Sequence, residues 1–200
     1  VVGSAPDELD FYNVKVARRV RFEACRRWGP VAALAPLEIL TEECAESTAL
    51  FDSLVEAKRL GTLPKVYTEH PWVQAAPPGE PLHPVSIYMD GVSYNRLDSV
   101  IGFFVYFMLS GRKHLVAALR KSELCSCGCR RWCTIRPILA MLAWSLVSMA
   151  AGIYPRIRHD GQPWCEGGET RSTMQGKPLG FRGICVFIKA DWMEFITTLG

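Results

Sequence analysis

The sequence predicts an α/β fold, and three observations carry that prediction. Residues 85–90 alternate apolar and polar side chains and end at Asp90, which is typical of a strand with one face in a core. Residues 100–109 and 184–190 are two further apolar runs, rich in aromatic and β-branched side chains. Between these runs, the nineteen residues from Pro137 to Pro155 carry no charge and predict a buried helix.

The bulk composition allows one sizeable core, because 49% of the 200 residues are hydrophobic. The chain begins at Val1 and stops at Gly200 inside an amphipathic run, so we expect it to be a fragment of a longer protein. Residues 1–80 carry a net charge of −3 and residues 81–200 a net charge of +6. The basic second part favours a polyanionic partner, although a plain solvated surface also produces such an imbalance.

The first part of the chain predicts a helical N-terminal region over residues 1–61. A first helix is expected over Val14–Trp28, where apolar side chains recur every four residues, and a second helix is expected from Pro36. Residues 62–83 contain five prolines and predict a linker. Residues 84–200 then form the predicted core.

That core predicts the order strand, strand, strand, helix, strand, helix. The expected elements are strands at 85–90, 100–109 and 114–119, a helix at 134–153, a strand at 184–191 and a helix from Trp192. The uncharged part of the long helix is long enough to cross a membrane. Basic residues at both of its ends and strands on either side favour a buried helix on a sheet, so we expect no membrane association.

Four of the eight cysteines fall within nine residues, namely Cys125, Cys127, Cys129 and Cys133. This clustering predicts reduced thiols in a nuclear or otherwise intracellular protein rather than a disulfide framework. Four thiolates suit one Zn²⁺, which would fold an insertion at residues 124–133 that is too small for a core of its own. Free cysteines in a tight loop are the alternative, and one ligand could instead come from His114, His159 or Cys165.

Two of the predicted strands end on an aspartate, Asp90 and Asp191. An acid at the end of a buried strand costs desolvation, and a metal ion is the usual compensation. Carboxylates at adjacent strand ends can hold two Mg²⁺ ions roughly 4 Å apart, which stabilise the attacking and leaving oxygens of a phosphodiester reaction. The alternatives are a turn for Asp90 before Gly91 and a helix N-cap for Asp191.

The placement of these aspartates resembles the ribonuclease H-like catalytic core of DDE/DDD transposases and integrases. The resemblance rests on Tyr88-Met-Asp-Gly-Val92 and on Ile188-Lys-Ala-Asp-Trp-Met-Glu-Phe195, and it covers about residues 84–200. It implies a mixed sheet, Mg²⁺ or Mn²⁺ at Asp90 and Asp191, and DNA cleavage and strand transfer.

The third acid of that family is expected beyond Gly200, since the candidates within the chain are weaker: Glu194, Asp98 and Asp160. The chain is therefore expected to be a fragment or an inactive copy of such an enzyme.

The whole chain also resembles mobile-element-like proteins of dinoflagellates, through Tyr67-Thr-Glu-His-Pro71, Tyr88-Met-Asp-Gly-Val92 and Arg120-Lys-Ser-Glu-Leu-Cys-Ser-Cys-Gly-Cys129. The transposase resemblance implies DNA as partner, and a homo-oligomer would be compatible with it. The candidate phosphate-binding residues are Arg112, Lys113, Arg130, Arg131 and Arg136. The alternative function is a non-catalytic, zinc-stabilised module that binds nucleic acid or protein.

Overall fold

A computed structural model describes residues 11–19, 26–47, 49–77, 79–80, 82–93, 96, 98–164 and 169–190. The strands are β1 (Tyr12–Arg19), β2 (Arg26–Ala33), β3 (Leu82–Ser93), β4 (Ser99–Phe107), β5 (Lys113–Arg120) and β6 (Arg182–Ala190). The helices are α1 (Pro36–Glu46), α2 (Ala49–Arg59), α3 (Lys65–Thr68), α4 (Pro71–Gln74), α5 (Trp132–Ala151) and α6 (Glu169–Met174), with a 3-10 turn at Lys121–Glu123.

The six described strands form one mixed sheet in the order β1-β2-β5-β4-β3-β6. β3, β4 and β5 are antiparallel neighbours in chain order, whereas β6 lies on the far side of β3 and runs parallel to it. β5 and β6 therefore run in the same direction, so the chain between them must cross the sheet, and α5 lies in that connection. The α/β class predicted from the sequence is therefore confirmed, with a mixed sheet.

The core lies between one face of this sheet and the helices α1 and α5. Alternate residues of β4, such as Phe103 and Val105, are fully buried against α5 residues such as Ile138 and Met141. α1 joins the same core through Leu37 and other apolar side chains. The two helices are also joined by a hydrogen bond, because the backbone N–H of Leu37 donates to Ser145 Oγ at 2.9 Å.

The helix predicted over Val14–Trp28 is wrong, because residues 12–19 and 26–33 form the antiparallel hairpin β1–β2. In β1 the buried residues alternate with exposed ones, as in Val14 and Val16 against Lys15. A spacing of four residues is common to the periods of a helix and a strand, so the apolar pattern did not distinguish them. Residues 20–25, in the middle of the predicted helix, lie outside the described part of the chain.

The other elements expected within the described residues are confirmed, with shifts at their ends. The four strands and the long helix are present as β3, β4, β5, β6 and α5, and the helix expected from Trp192 lies outside the described residues. The second predicted helix is divided at Ser47 into α1 and α2, and the proline-rich segment contains the short helices α3 and α4. The division into regions 1–61, 62–83 and 84–200 stays a prediction, although β1 and β2 share the core of the later strands.

Within the described residues, α5 is the one helix that is long and apolar enough to cross a membrane, with 20 residues and a mean hydropathy of 1.5 over its best window. Half of that window is buried inside the fold. Its buried hydroxyls also hydrogen-bond to other elements, since Ser145 binds α1 and Thr134 binds the backbone at Cys125. These contacts are those of a core helix lying on a sheet.

We expect Ser145→Ala to lower the free energy of unfolding by about 1–3 kcal/mol, because it leaves the buried N–H of Leu37 without an acceptor. Ser148→Ala on the same helix is the matched control. Ser148 Oγ bonds only the carbonyl of Trp144 in its own helix among described partners, so its loss should cost less than about 1 kcal/mol. Equal losses in urea denaturation would contradict the capping role of Ser145.

Candidate metal centre and strand-end aspartate

The loop between β5 and α5 brings four cysteine thiols together. The Sγ atoms of Cys125, Cys127, Cys129 and Cys133 all lie within 4.8 Å of one another. The Sγ atoms of Cys127 and Cys133 are 3.8 Å apart, and a tetrahedral zinc ion with Zn–S bonds of about 2.3 Å separates its sulfurs by roughly 3.8 Å. The predicted cluster is therefore confirmed as a group that could hold a metal such as zinc.

Unusual backbone conformations close this loop. Gly128 has φ +84°, and two consecutive arginines, Arg130 and Arg131, have φ values of +50° and +70°. Left-handed backbone costs a non-glycine residue about 1–3 kcal/mol, so it persists only where surrounding contacts require it. Here it turns the chain so that the N–H of Cys133 donates to Cys129 Sγ at 3.4 Å.

The start of α5 favours negative charge on the cluster. Cys133 is the second residue of α5, where the helix dipole favours negative charge, and the N–H groups of residues 132–135 already donate to Cys129 and Arg131. Hydrogen bonds from Cys125 and Cys129 lower the pKa of the Cys127 thiol to about 6. The hydrogen bond with Cys129 instead raises the pKa of Cys133 to about 12. Neighbouring thiols thus share protons, which a bound metal would replace.

Thr134 ties the cysteine loop to the rest of the fold. Its hydroxyl accepts from the N–H of Cys125 at 2.9 Å and donates to the carbonyl of Ala17 in β1. Leu124 is buried and forms a β-bridge with Arg18, whose side chain also pairs with Glu123 at 3.3 Å. The loop, the start of α5 and the hairpin are consequently one connected unit.

Asp90 lies in β3, half-buried, on the opposite sheet face from the core residue Met89. Its backbone pairs with Gly102 of β4, and no ion pair joins its carboxylate to another described residue. On the other side, Met89 pairs with Ala190 of the parallel strand β6. Asp191 follows Ala190 in the sequence but lies outside the described residues, as does Glu194.

The weaker candidates for a third acid, Asp98 and Asp160, accept hydrogen bonds that stabilise the fold. Asp98 accepts hydrogen bonds from the N–H of Ser99 at 2.9 Å and from the hydroxyl of Ser122 at 2.6 Å. Asp160 accepts from the N–H of Gln162 at 3.2 Å. Asp98 thus joins the start of β4 to the 3-10 turn at Lys121–Glu123, whereas Asp160 fixes its own local turn.

The five candidate phosphate-binding cations fall into two groups at opposite ends of β5. Arg112 and Lys113 lie where β5 begins, while Arg130, Arg131 and Arg136 follow its end at Arg120. The two ends of this eight-residue strand are roughly 25 Å apart. Arg112 pairs with Glu46 at 2.9 Å, and that hydrogen bond raises the pKa of Arg112.

Two buried polar groups were not predicted from the sequence. Glu43 of α1 is only 3% exposed and lies 2.6 Å from His114 Nε2, so this histidine is not a ligand of the cysteine cluster. Glu43 follows Pro36, Ile39 and Leu40 at the spacing of a buried helix face. That spacing could have identified it.

The second missed group is a network around Glu38. Arg171 donates two hydrogen bonds of 2.8 Å to its carboxylate, and the hydroxyls of Tyr12 and Tyr154 donate at 2.7 and 2.8 Å. His159 stands beside this network, edge-on to the ring of Tyr12. His159 is therefore also absent from the cysteine cluster, while Cys165 lies outside the described residues.

A cavity of about 670 Å³ lies at the opposite end of β3 from Asp90. Apolar side chains such as Leu50 and Phe51 line it together with His83 and Arg182. Burial lowers the pKa of His83, and Arg182 is held by the carbonyl of Ala150 at 2.9 Å. The cavity is therefore separate from both the thiols and the strand-end aspartate.

We expect the purified chain to bind one Zn²⁺, measured by elemental analysis, and Cys127→Ser or Cys133→Ser to lose it. A zinc concentration a thousand times the Kd stabilises the fold by about 4 kcal/mol, which raises the Tm of a chain of this size by about 8–16 °C. Cys44→Ala is the control, because burial raises the pKa of Cys44 to about 11 and it lies outside the cluster. A metal-free protein with full stability would contradict the zinc centre.

A pH effect is expected at His159. Burial lowers the pKa of His159 below its usual 6.5, with Asp160 opposing and Arg158 adding to the effect. The unfolded chain therefore takes up a proton as the pH falls through 6.5 while the folded protein resists it, so stability decreases. His159→Phe should retain the ring packing and reduce this loss in unfolding experiments between pH 7.5 and 5.5. An unchanged pH dependence would show that His159 does not contribute.

Comparison of the chain with protein families, curated proteins and solved structures gives no match. The function therefore has to be inferred from the chemistry of the residues and their arrangement.

Proposed function

We propose that the chain is the larger part of a ribonuclease H-like core that cleaves and joins DNA phosphodiester bonds, as transposases and integrases do. The supporting observation is the sheet order β5-β4-β3-β6, in which the pairing of β3 with β6 is parallel and the other two pairings are antiparallel. This arrangement sets Met89 opposite Ala190, and each is followed in the sequence by an aspartate.

The environment of Asp90 fits a magnesium ligand. Its carboxylate is half-buried at an accessible strand and is not neutralised by a described cation. Mg²⁺ prefers carboxylate oxygens and retains several waters. Asp90, Asp191 and one further acid beyond Gly200 would therefore be enough to bind the ions. When bound, two such ions would stabilise the charge that develops on the attacking and leaving oxygens.

The basic residues after β5 could hold the DNA backbone at the end of the sheet that carries Asp90, although Arg136 belongs to α5 on the other sheet face. Val100 pairs with Val92 on one side and with Arg120 on the other, so the end of β5 lies close to the end of β3 that carries Asp90. Arg130 and Arg136 follow this end and are exposed. Their contacts with phosphates would weaken steeply with salt.

A second candidate function is a non-catalytic nucleic-acid-binding module stabilised by zinc. The 3.8 Å separation of the Cys127 and Cys133 sulfurs favours it, because that distance suits a structural metal site and needs no carboxylate. Metal-dependent cleavage distinguishes the two candidates, since only the first requires Asp90 to bind Mg²⁺.

We expect Asp90→Asn to abolish Mg²⁺-dependent cleavage of a DNA oligonucleotide and to weaken Mn²⁺ binding at least tenfold, about 1.4 kcal/mol in binding free energy. Mn²⁺ binding is measured by electron paramagnetic resonance, so the effect is visible even if turnover is slow. Asp52→Asn is the matched control, because Asp52 is an exposed acid on α2. Wild-type Mn²⁺ affinity in the Asp90→Asn chain would refute the catalytic proposal and leave the second candidate.

A further inference from the structure

The sheet face opposite α5 carries aromatic and basic side chains in two rows. Cross-strand partners project from the same face of a sheet, so the register defines each row. The first row is Lys189, Tyr88, Phe104 and Leu115, and the second is Phe187, Ser86, Tyr106 and Lys113. We call these eight residues the aromatic face.

Much of the aromatic face is accessible to solvent. Leu115 is 48% exposed, and Lys113 and Lys189 are exposed. The rings of Tyr88 and Phe104 are half-buried, whereas the alternate residues of the same strands are buried in the core. Ser86 is buried, and Phe187 packs against a second apolar cluster beside Leu82. A partly exposed group of aromatic side chains on one sheet face is nevertheless typical of a binding surface.

The rings of this face are held in a defined arrangement. A Cβ atom at Gly102 would lie 2.5 Å from Cε2 of Phe104, so the ring of Phe104 lies down over this glycine. The centroids of Tyr88 and Phe104 are 6.1 Å apart, and the planes are inclined by 39°. Lys113 Nζ covers both rings, at 4.1 Å from the centroid of Tyr88 and 4.3 Å from that of Phe104.

Lys113 is suited to uncover the rings when a polyanion binds. It is an exposed lysine on a flexible stem, and a phosphate is a stronger partner for its ammonium than a ring face. Movement of this side chain would take its ammonium off the faces of two neighbouring rings without unpacking the core. Lys189 provides a second cation, 5.2 Å from the centroid of Phe187.

We propose that the aromatic face binds single-stranded nucleic acid, with bases stacked on Tyr88 and Phe104 and phosphates bound by Lys113 and Lys189. Aromatic rings beside cations are the features that single-strand-binding surfaces share. A duplex is not the expected ligand, because its base faces are already stacked on one another. Neither row of the face contains an acid, which leaves its charge complementary to a polyanion.

That the ligand is a nucleic acid rests on the proposed function. The position of the aromatic face adds to that function by indicating how the nucleic acid would reach Asp90. Asp90 follows Tyr88 by two residues on β3 and so projects from the same sheet face. A single-stranded nucleic acid bound along the aromatic face would therefore extend towards Asp90. The face itself contains neither of the predicted catalytic acids.

The test is fluorescence anisotropy with labelled dT15, U15 and a 15-base-pair duplex in a buffer without Mg²⁺, Mn²⁺ or chelator, so that binding is measured without cleavage and zinc is not removed. We expect both single strands to bind at least tenfold more tightly than the duplex. Phe104→Leu and Tyr88→Leu should each weaken dT15 binding roughly 5- to 100-fold. Lys113→Ala should weaken it and reduce the salt dependence by about one phosphate contact. The matched controls are Trp72→Leu and Lys58→Ala, an exposed aromatic and an exposed lysine elsewhere, which should bind like the wild type.

The outcomes separate this inference from the catalytic proposal. If Asp90→Asn binds dT15 normally and loses Mg²⁺-dependent cleavage, both stand. If dT15 binds through the aromatic face but the wild type neither cleaves DNA nor binds Mn²⁺, only the catalytic proposal fails. Equal binding of duplex and single strand, or unchanged dT15 affinity in the folded Lys113→Ala chain, would overturn this inference. Concentration-dependent dimerisation lost in Phe104→Leu would overturn it as well, since the face would then belong to a second copy.

Discussion

The parallel pairing of β3 with β6 is the constraint on which the remaining arrangement depends. Because β6 runs in the same direction as β3 and β5, no tight turn can join β5 to β6, and the chain must cross the sheet between those two strands. α5 makes that crossing on one face, and its burial there creates the core shared with α1. The other face of β3, β4 and β5 is left to different uses, including the position of Asp90 and the two rows of aromatic and basic side chains.

Both ends of the long connection around α5 are anchored by polar groups. At its start, Thr134 joins the cysteine loop to the carbonyl of Ala17. After the end of α5, Arg171 donates hydrogen bonds to the carboxylate of Glu38, and two tyrosine hydroxyls also donate to that carboxylate. A partly buried ion pair offsets the cost of its desolvation only when its polar atoms are hydrogen-bonded. Both oxygens of Glu38 meet that condition in this network. The hairpin β1–β2 takes part in both anchors through Ala17 and Tyr12.

The sequence predicts a feature of this structure when the feature depends on neighbouring residues, and does not when it depends on contacts between distant parts of the chain. The strands at 85–90 and 100–109 and the helix after Thr134 were predictable, because burial on one or both faces leaves a clear period. The hairpin at Val14 was not, because a spacing of four residues suits either conformation. The thiol cluster was predictable from spacing alone. The partners of Glu38 and Glu43 were not, since Arg171 and His114 lie 133 and 71 residues away.

Gly102 and Phe104 form a sequence pattern by which relatives of this chain could be recognised. Gly102 sits in the middle of an apolar strand, where glycine is normally a disadvantage, and the ring of Phe104 fills the space that a Cβ would take. Any larger residue would force the ring upright and alter the whole surface beside it. A glycine followed two positions later by an aromatic residue, inside a strand of this kind, should therefore change only together with its partner when relatives of this chain are collected and aligned.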